Sequence, residues 1–358
     1  MSEKPSLYVC SASGSSGKSI VSLGLALNLQ DKGLKVGYFK PIGWEAGRDP
    51  SGGKIDRDAE LMSRVLDLKS PIELIVPVIF GSRFLEENEK ANPHLYEDNI
   101  LHAYRKMADD KDLMIIEGTS SLGVASSMGL DAISLSKKLK SSILMVSKHQ
   151  NDTTIDQDVW VRRVINSLGG SFFGQIINQV HRKDIERIRR FAFPVFKKFD
   201  INLLGLIPEE IEVVAPSVRE ICEKIKCEIL TGKEKLDNRI EEILVGAMSP
   251  ESSLTYFRRS SKKAVVTGGD RADIQLAALE TDLSALILTG NIYPDSKILS
   301  RADDLQVPVI LVPSDTYTTV RNLTHIAGRI NAQDDRKIKL VKKLFEDNVD
   351  WKFFGSLT

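Results

Sequence analysis

The sequence predicts an α/β protein with a doubly wound, mainly parallel sheet and a second, smaller α/β domain behind it. Three observations predict this. Short runs rich in Val, Ile and Leu recur with helical segments between them, which is how strands buried on both faces of a parallel sheet read. The first run, residues 7–10, passes through a stretch of small residues into Gly17-Lys18-Ser19 and then an apolar helical pattern. After Pro216 the texture changes, and three of the four later strand candidates run directly into Thr-Gly.

Taken in order, the first domain is expected over residues 1–212, with strands at 7–10, 35–39, 113–116, 142–146, 174–177 and 202–206. The helix after the first strand is expected from Lys18 to about Asp31, with Gly33 as its C-cap. Residues 181–198, "HRKDIERIRRFAFPVFKK", form the one basic run. Ile185, Ile188, Phe191 and Val195 fall at helical spacing within it, which predicts an amphipathic helix whose charges are solvated. The second domain is expected over residues 215–328. It has a short helix at 217–226, a strand ending at Thr231-Gly232, and strands at 263–266, 284–288 and 307–312. Residues 329–358 are charged and are expected to form a helical tail.

Composition narrows the function classes. Among 358 residues, Lys+Arg and Asp+Glu are 49 each, so no global basic field exists to attract nucleic acid or an acidic membrane. The three cysteines, Cys10, Cys222 and Cys227, have the spacing of neither a disulfide framework nor a tetrahedral metal site, and their scarcity suggests a reducing compartment. The five histidines, His325 among them, form no ligand spacing. The N-terminus lacks a basic segment followed by an apolar one. Every apolar stretch falls short of the roughly 20 residues that cross a bilayer. A cytoplasmic protein is expected.

The chemistry concentrates in residues 12–19, Ala12-Ser13-Gly14-Ser15-Ser16-Gly17-Lys18-Ser19. This is phosphate-loop spacing, with Ala12 where Gly is usual. Small residues let the backbone curl until successive N–H groups point at phosphate oxygens, and the following helix presents its N-terminus to the same anion. Lys18 is expected on the β and γ phosphates of a nucleotide, and the Ser19 hydroxyl on Mg²⁺. A second lysine early in the loop would stand at Ser13 and is absent.

Three further stretches, "VGYFKPIG" (36–43), "DLMIIEGTSSLG" (112–123) and "GQIINQV" (174–180) followed by "INLLGLIPEE" (201–210), complete a series. It resembles the dethiobiotin synthetase-like family of P-loop NTPase proteins, which includes amidoligases such as cobyrinic acid diamide synthase. The resemblance implies an ATP and Mg²⁺ site. Lys40 would be a second lysine facing the transferred phosphate, Asp58 would sit near the metal, and Glu117 would complete the metal site from a strand tip. Asn178 would contact the base, with the loop around Pro208 beside it. Hard oxygen ligands suit Mg²⁺, and two lysines suit a transferring phosphoryl group. The sequence departs from dethiobiotin synthetases in the substrate half. Ser15 stands where those enzymes carry an acidic residue, Gly43-Trp44 where they carry a serine, and "TSS" where they carry small glycines after Glu-Gly.

"AVVTGGDRADIQLAALETDLSALILTGN" (264–291) resembles the DRTGG domain. In its turn Gly268 and Gly269 allow positive φ or close approach, Asp270 is placed to cap a helix over 271–279, and Arg271 stands beside the helix start. Two roles stay open for Gly268, Gly269, Asp270 and Arg271: a structural or subunit-contact turn, and an anion site. The two domains in this order resemble the N-terminal part of long phosphate acetyltransferases, and imply a chain without the acetyl-transferring domain. The expected function is a regulatory or sensing Mg-ATPase linked to acetyl-CoA or acyl-phosphate metabolism. A homodimer and contacts with enzymes of that metabolism are expected with it. The alternative is an ATP-dependent ligase acting on a carboxylate.

Overall fold

The computed structural model describes residues 4–45, 47–48, 54–87, 93–324, 326 and 330–357; His325 lies outside them. The chain divides into two compact units, residues 1–209 with 331–358, and residues 210–330. In the first unit, β1 (Ser6–Cys10), β2 (Val36–Phe39), β3 (Leu113–Glu117), β4 (Ser142–Lys148), β5 (Phe172–Val180) and β6 (Leu203–Pro208) form one sheet in the order β6-β5-β4-β1-β3-β2. Every pairing in it is parallel. β1 and β3 are buried at every position, as their unbroken apolar runs require of central strands. From β1 the chain steps out to β2 and back to β3, then crosses to β4 and runs outward to β6. The direction therefore reverses at β1, and the crevice at its carboxyl end is where such sheets bind ligands.

The helices named here are α1 (Lys18–Asp31), α2 (Arg57–Val65) and α3 (Ile185–Lys198) of the first unit, α4 (Val218–Lys224), α5 (Ala272–Leu279) and α6 (Thr316–Leu323) of the second, and α7 (Asp335–Asn348), which returns to the first. Buried residues recur all round α1, including Val21, Leu23, Leu25 and Leu29, because it lies between the sheet and α7. Gly24 faces the Phe345 ring so closely that an added Cβ would stand 2.3 Å from it. The Asn28 side-chain amide donates to the Lys342 carbonyl at 2.9 Å. Beyond α7, the Asp350 N–H donates to the Leu204 carbonyl at 2.7 Å, and Val349 bridges Gly205 of the edge strand β6. Residues expected as a separate tail thus complete the first unit. The apolar residues that α7 buries, Val341 and Phe345, are interleaved with lysines, so sequence alone shows an amphipathic helix and not the groove it fills.

The second unit has β7 (Glu228–Thr231), β8 (Glu242–Val245), β9 (Lys263–Gly268), β10 (Leu283–Thr289) and β11 (Val309–Leu311) in the order β7-β11-β10-β9-β8. β8 to β11 are parallel, and β7 runs antiparallel along β11. Alternate residues serve two cores. Val265, Leu286, Leu288, Val309 and Leu311 face one side; Ala264, Val266, Ala285, Ile287, Ile310 and Val312 face the other. β8 was not expected, although Ile243-Leu244-Val245 is a short apolar run; it is a half-exposed edge strand.

Two local expectations change. In α3 the buried stripe is Ile188, Ala192 and Phe196, while Phe191 is 61% exposed. Of the residues picked by spacing, Ile185, Ile188 and Val195 pack in the same core, and only Phe191 turns outward. α5 starts at Ala272 with Arg271 in the N-cap position and no side-chain cap, so Asp270 does not serve as its cap.

Candidate nucleotide site

β1 delivers the chain to the switch point, and the loop turns there through two left-handed residues, Ser15 (φ 58°) and Gly17 (φ 80°). Gly17 is required on a second count, since an added Cβ would meet the Asn178 amide nitrogen at 2.3 Å. The Asn178 side chain donates to the Ser16 carbonyl at 2.9 Å, so its amide clamps the loop backbone from the end of β5. Ser11, which sequence reasoning passed over, is fully buried. Its hydroxyl accepts from the Lys18 ammonium at 2.9 Å and donates to the Ser13 carbonyl at 2.7 Å. The "TSS" stretch after Glu117 closes over the same loop. The Ser120 carbonyl accepts from Lys18 at 3.4 Å and from Ser11 at 3.3 Å, and the Leu122 N–H donates to the Ser11 carbonyl at 2.9 Å.

Glu117 stands at the tip of β3, beside β1, and is 2% exposed. Ser19 donates to its Oε1 at 2.7 Å, and the Tyr38 hydroxyl to its Oε2 at 3.1 Å. Burial, then the charge of Asp58, pushes the Glu117 carboxyl up to about 7 against the pull of Lys40, Ser19 and Lys18. Burial likewise draws the Lys18 ammonium down from its ordinary range, opposed chiefly by Glu117.

Lys40 lies just after β2 and is buried. Its ammonium sits 2.9 Å from Asp56 and 2.7 Å from Asp58. Burial pulls its pKa down, but Asp58, Glu117 and Asp56 outweigh that, and it stays charged above the ordinary lysine range. Asp56 was missed by sequence reasoning, yet it is the better-buried partner. It caps α2 through the Ala59 N–H at 3.0 Å and accepts from the Trp44 N–H at 3.1 Å. The signal was available: Asp56 is two residues before Asp58 and directly precedes an Arg-Asp-Ala-Glu helix start, an N-cap position.

Thus the loop residues Ser13, Gly14, Ser15, Ser16, Gly17, Lys18 and Ser19 lie with Lys40, Asp58, Glu117 and Asn178 at one edge of the first sheet. Pro208 ends β6 at the same edge, opposite Val180 of β5. The donor set fits Mg²⁺: a hydroxyl and carboxylates are hard oxygen ligands, and Ser19 already meets Glu117.

Gly268 to Arg271 belong to the second unit. Gly269 is pressed on the Ile292 carbonyl, where a Cβ would stand at 1.8 Å. Gln275 reaches back from α5 and donates to the Gly268 and Gly269 carbonyls at 2.9 and 3.0 Å. The Arg271 guanidinium pairs with Asp273 at 3.1 Å and donates to the Met248 carbonyl at 3.3 Å. These contacts are internal to the turn and its neighbours.

The chain is similar to several known proteins. The phosphate acetyltransferase of Nitratidesulfovibrio vulgaris is 26% identical over 368 residues, covering 98% of this chain and 51% of that protein. The phosphate acetyltransferase of Pseudomonas putida is 27% identical over 354 residues, covering 93% and 49%. The chain spans about half the length of these curated relatives. Among solved structures, the CBS and DRTGG domains of the regulatory region of Clostridium perfringens pyrophosphatase, complexed with the activator diadenosine tetraphosphate, match at a TM-score of 0.28 and 20% identity, covering 43% of this chain and 81% of that one. The septum site-determining protein MinD of Pyrococcus horikoshii, complexed with Mg-ADP, matches at a TM-score of 0.36 and 17% identity, covering 58% and 82%. The DRTGG domain family matches residues 220–326, and the AAA domain family matches residues 5–217. With a P-loop at a switch point and a family match over more than half its length, the chain belongs to the AAA domain family, and a DRTGG domain follows in the same chain.

Proposed function

We propose that the first unit binds Mg-ATP at the Ser11–Ser19 edge and hydrolyses it slowly as a regulatory or sensing ATPase. The observation that carries this is the buried charge cluster at the loop. Lys18, Lys40, Glu117 and Asp56 are each at most 9% exposed, although a merely structural edge would not bury four ionisable groups together. Loop amides from Gly14 to Gly17 would hold phosphate oxygens, and Lys18 would neutralise the charge that develops between the β and γ groups. Lys40 is fixed by two carboxylates and is pre-oriented at the same edge. Mg²⁺, when bound by Ser19 and Glu117 with Asp58 nearby, would supply further neutralisation of the phosphates. Asn178 holds the loop in shape and lies toward the base side with Pro208.

The resemblance to phosphate acetyltransferases supports a place in acetyl-CoA or acyl-phosphate metabolism, with enzymes of that metabolism as partners. The second unit would sense a ligand or mediate assembly. A ligase of the dethiobiotin synthetase type remains the second reading, favoured by the buried Lys40. A phosphate-release assay with ATP and Mg²⁺, alone and with candidate carboxylic acids, tests both. Slow release independent of acids supports the sensing ATPase. Release that rises severalfold with one acid supports the ligase. No release and no nucleotide binding removes both. We further propose a homodimer, for which light scattering should give twice the 39.8 kDa of one chain; the monomer mass with and without ATP contradicts it.

A further inference from the structure

Tyr38 is a buried polar residue to which the nucleotide reading gives no part. It lies in β2, is fully buried, and its hydroxyl donates to the Glu117 Oε2 at 3.1 Å. Three observations give that contact a role at the metal site.

The first is register. Tyr38 pairs with Ile115 of the neighbouring strand β3, and Glu117 follows two residues later at the tip of that strand. Side chains two apart in a strand share a face, and two residues of strand rise by about 6.6 Å, a span that a phenol leaning along the strand can cover. Phe39, the next residue, belongs to the opposite face, where its ring meets Tyr104 with centroids 5.4 Å apart. The strand pairing therefore aims the Tyr38 hydroxyl forward, at the carboxylate.

The second is the division of the carboxylate. Oε1 accepts from Ser19 at 2.7 Å and Oε2 from Tyr38. One donor comes from the first turn of α1 and the other from β2, so each oxygen is held separately. The terminal torsion of a glutamate is broad and two-fold when free, and a contact on each oxygen fixes it. Glu117 is almost wholly buried, so little water competes for either oxygen.

The third is the chemistry of the cations. Mg²⁺ demands near-octahedral geometry, whereas the larger Ca²⁺ accepts carboxylates through one oxygen or both in flexible geometry. With Oε1 beside Ser19 and Oε2 engaged by the phenol, Glu117 offers one oxygen to an ion that Ser19 holds. Capture of a larger ion through both oxygens would have to share or displace the phenol proton. We propose that Tyr38 is a positioning residue that keeps Glu117 monodentate and so selects Mg²⁺ over Ca²⁺ at the nucleotide site. This rests on the nucleotide reading of the loop.

The test titrates ADP into the full chain by calorimetry, with MgCl₂, with CaCl₂ and with EDTA. The buffer is held well above the value of about 7 to which burial lifts the Glu117 carboxyl. The parent is expected to bind ADP more tightly with Mg²⁺ than with Ca²⁺. Tyr38→Phe keeps the ring and removes the donor. It should lower the ratio of the two affinities about fivefold, the loss expected for one hydrogen bond, and leave ADP affinity in EDTA unchanged. In a Glu117→Gln chain, Tyr38→Phe should alter the ratio no further, because its effect runs through the carboxylate; a merely structural effect would add in both backgrounds. Tyr104→Phe, on the opposite face of β2, should leave the ratio as it is. Melting curves verify folding, and Tyr38→Met, whose side chain adapts to irregular space, takes the place of Tyr38→Phe if that variant does not fold. A parent that binds no ADP overturns this proposal together with the nucleotide reading. A parent that binds ADP equally well with either ion, an undiminished ratio in Tyr38→Phe, or the same loss in the Glu117→Gln chain overturns this proposal alone.

Discussion

The two units share a parallel α/β plan but spend their carboxyl edges differently. The edge of the first sheet gathers buried charge: Lys18, Lys40, Asp56 and Glu117. The edge of the second gathers neutral hydroxyls and glycines, with Thr267 and Thr289 buried and bonded to backbone. Buried ions are costly unless paired, so the first edge is held by its ion pairs and hydrogen bonds. Buried hydroxyls bonded to backbone cost little, so the second edge is a rigid frame. The difference teaches that one architecture can concentrate buried charge at its edge in one unit and uncharged, backbone-bonded side chains in the other.

The largest test of this contrast concerns what completes the first unit. Phe345→Ala empties the groove over Gly24 and should destabilise by about 3–5 kcal/mol, read as a lower denaturation midpoint of the first unit. A change within about 0.5 kcal/mol would show that α7 is dispensable. A fragment ending before residue 331 is expected to fold poorly for the same reason.

Glycines sharpen the comparison. In the second unit Gly269→Ala drives a Cβ onto the Ile292 backbone carbonyl and should cost about 1–3 kcal/mol or more. In the first unit an added Cβ at Gly14 meets nothing within 4 Å. Gly14→Ala should hold stability within about 0.5 kcal/mol and weaken nucleotide binding instead, because its small size serves the approach of a phosphate. Equal losses of stability at the two sites would erase the distinction between a ligand loop and a framing turn.

A smaller effect is visible in the pH dependence. Asp158 is buried and donates nothing while ionised; it accepts from the Ser147 hydroxyl at 3.0 Å, which in turn accepts from Gln175 at 2.8 Å. Burial pushes its carboxyl up to about 7 from 3.8. Between those values the folded chain keeps a proton that the unfolded chain has released. Stability therefore falls as pH rises through that window, by at most about 1.4 kcal/mol per pH unit from this group. Asp158→Asn should flatten that part of the slope; an unchanged slope would mean that Asp158 is ionised in the fold.

Much of this was legible in the sequence. Unbroken runs such as "LMIIE" mark central strands because both faces are buried, and Gly17-Lys18-Ser19 after a strand marks the loop because few other needs place small residues there. Lys40, Glu117 and Asn178 came from resemblance, and the fold brings each to the loop. What was not legible depends on distance in space. Ser11 and Asp56 read as an ordinary polar residue and an ordinary cap until the fold sets Lys18 and Lys40 beside them. Val341 and Phe345 read as one face of a polar helix because the groove they fill is built some three hundred residues earlier, by Gly24 and Asn28.

The central claim, that the charged edge of the first unit is a nucleotide site, is tested most directly by titrating Mg-ATP into the full chain and into Lys18→Ala by calorimetry, with melting curves to verify that both are folded. The account predicts one saturable site per chain in the parent and none in the variant, at equal thermal stability. Absence of binding in the parent, or undiminished binding in Lys18→Ala, contradicts it.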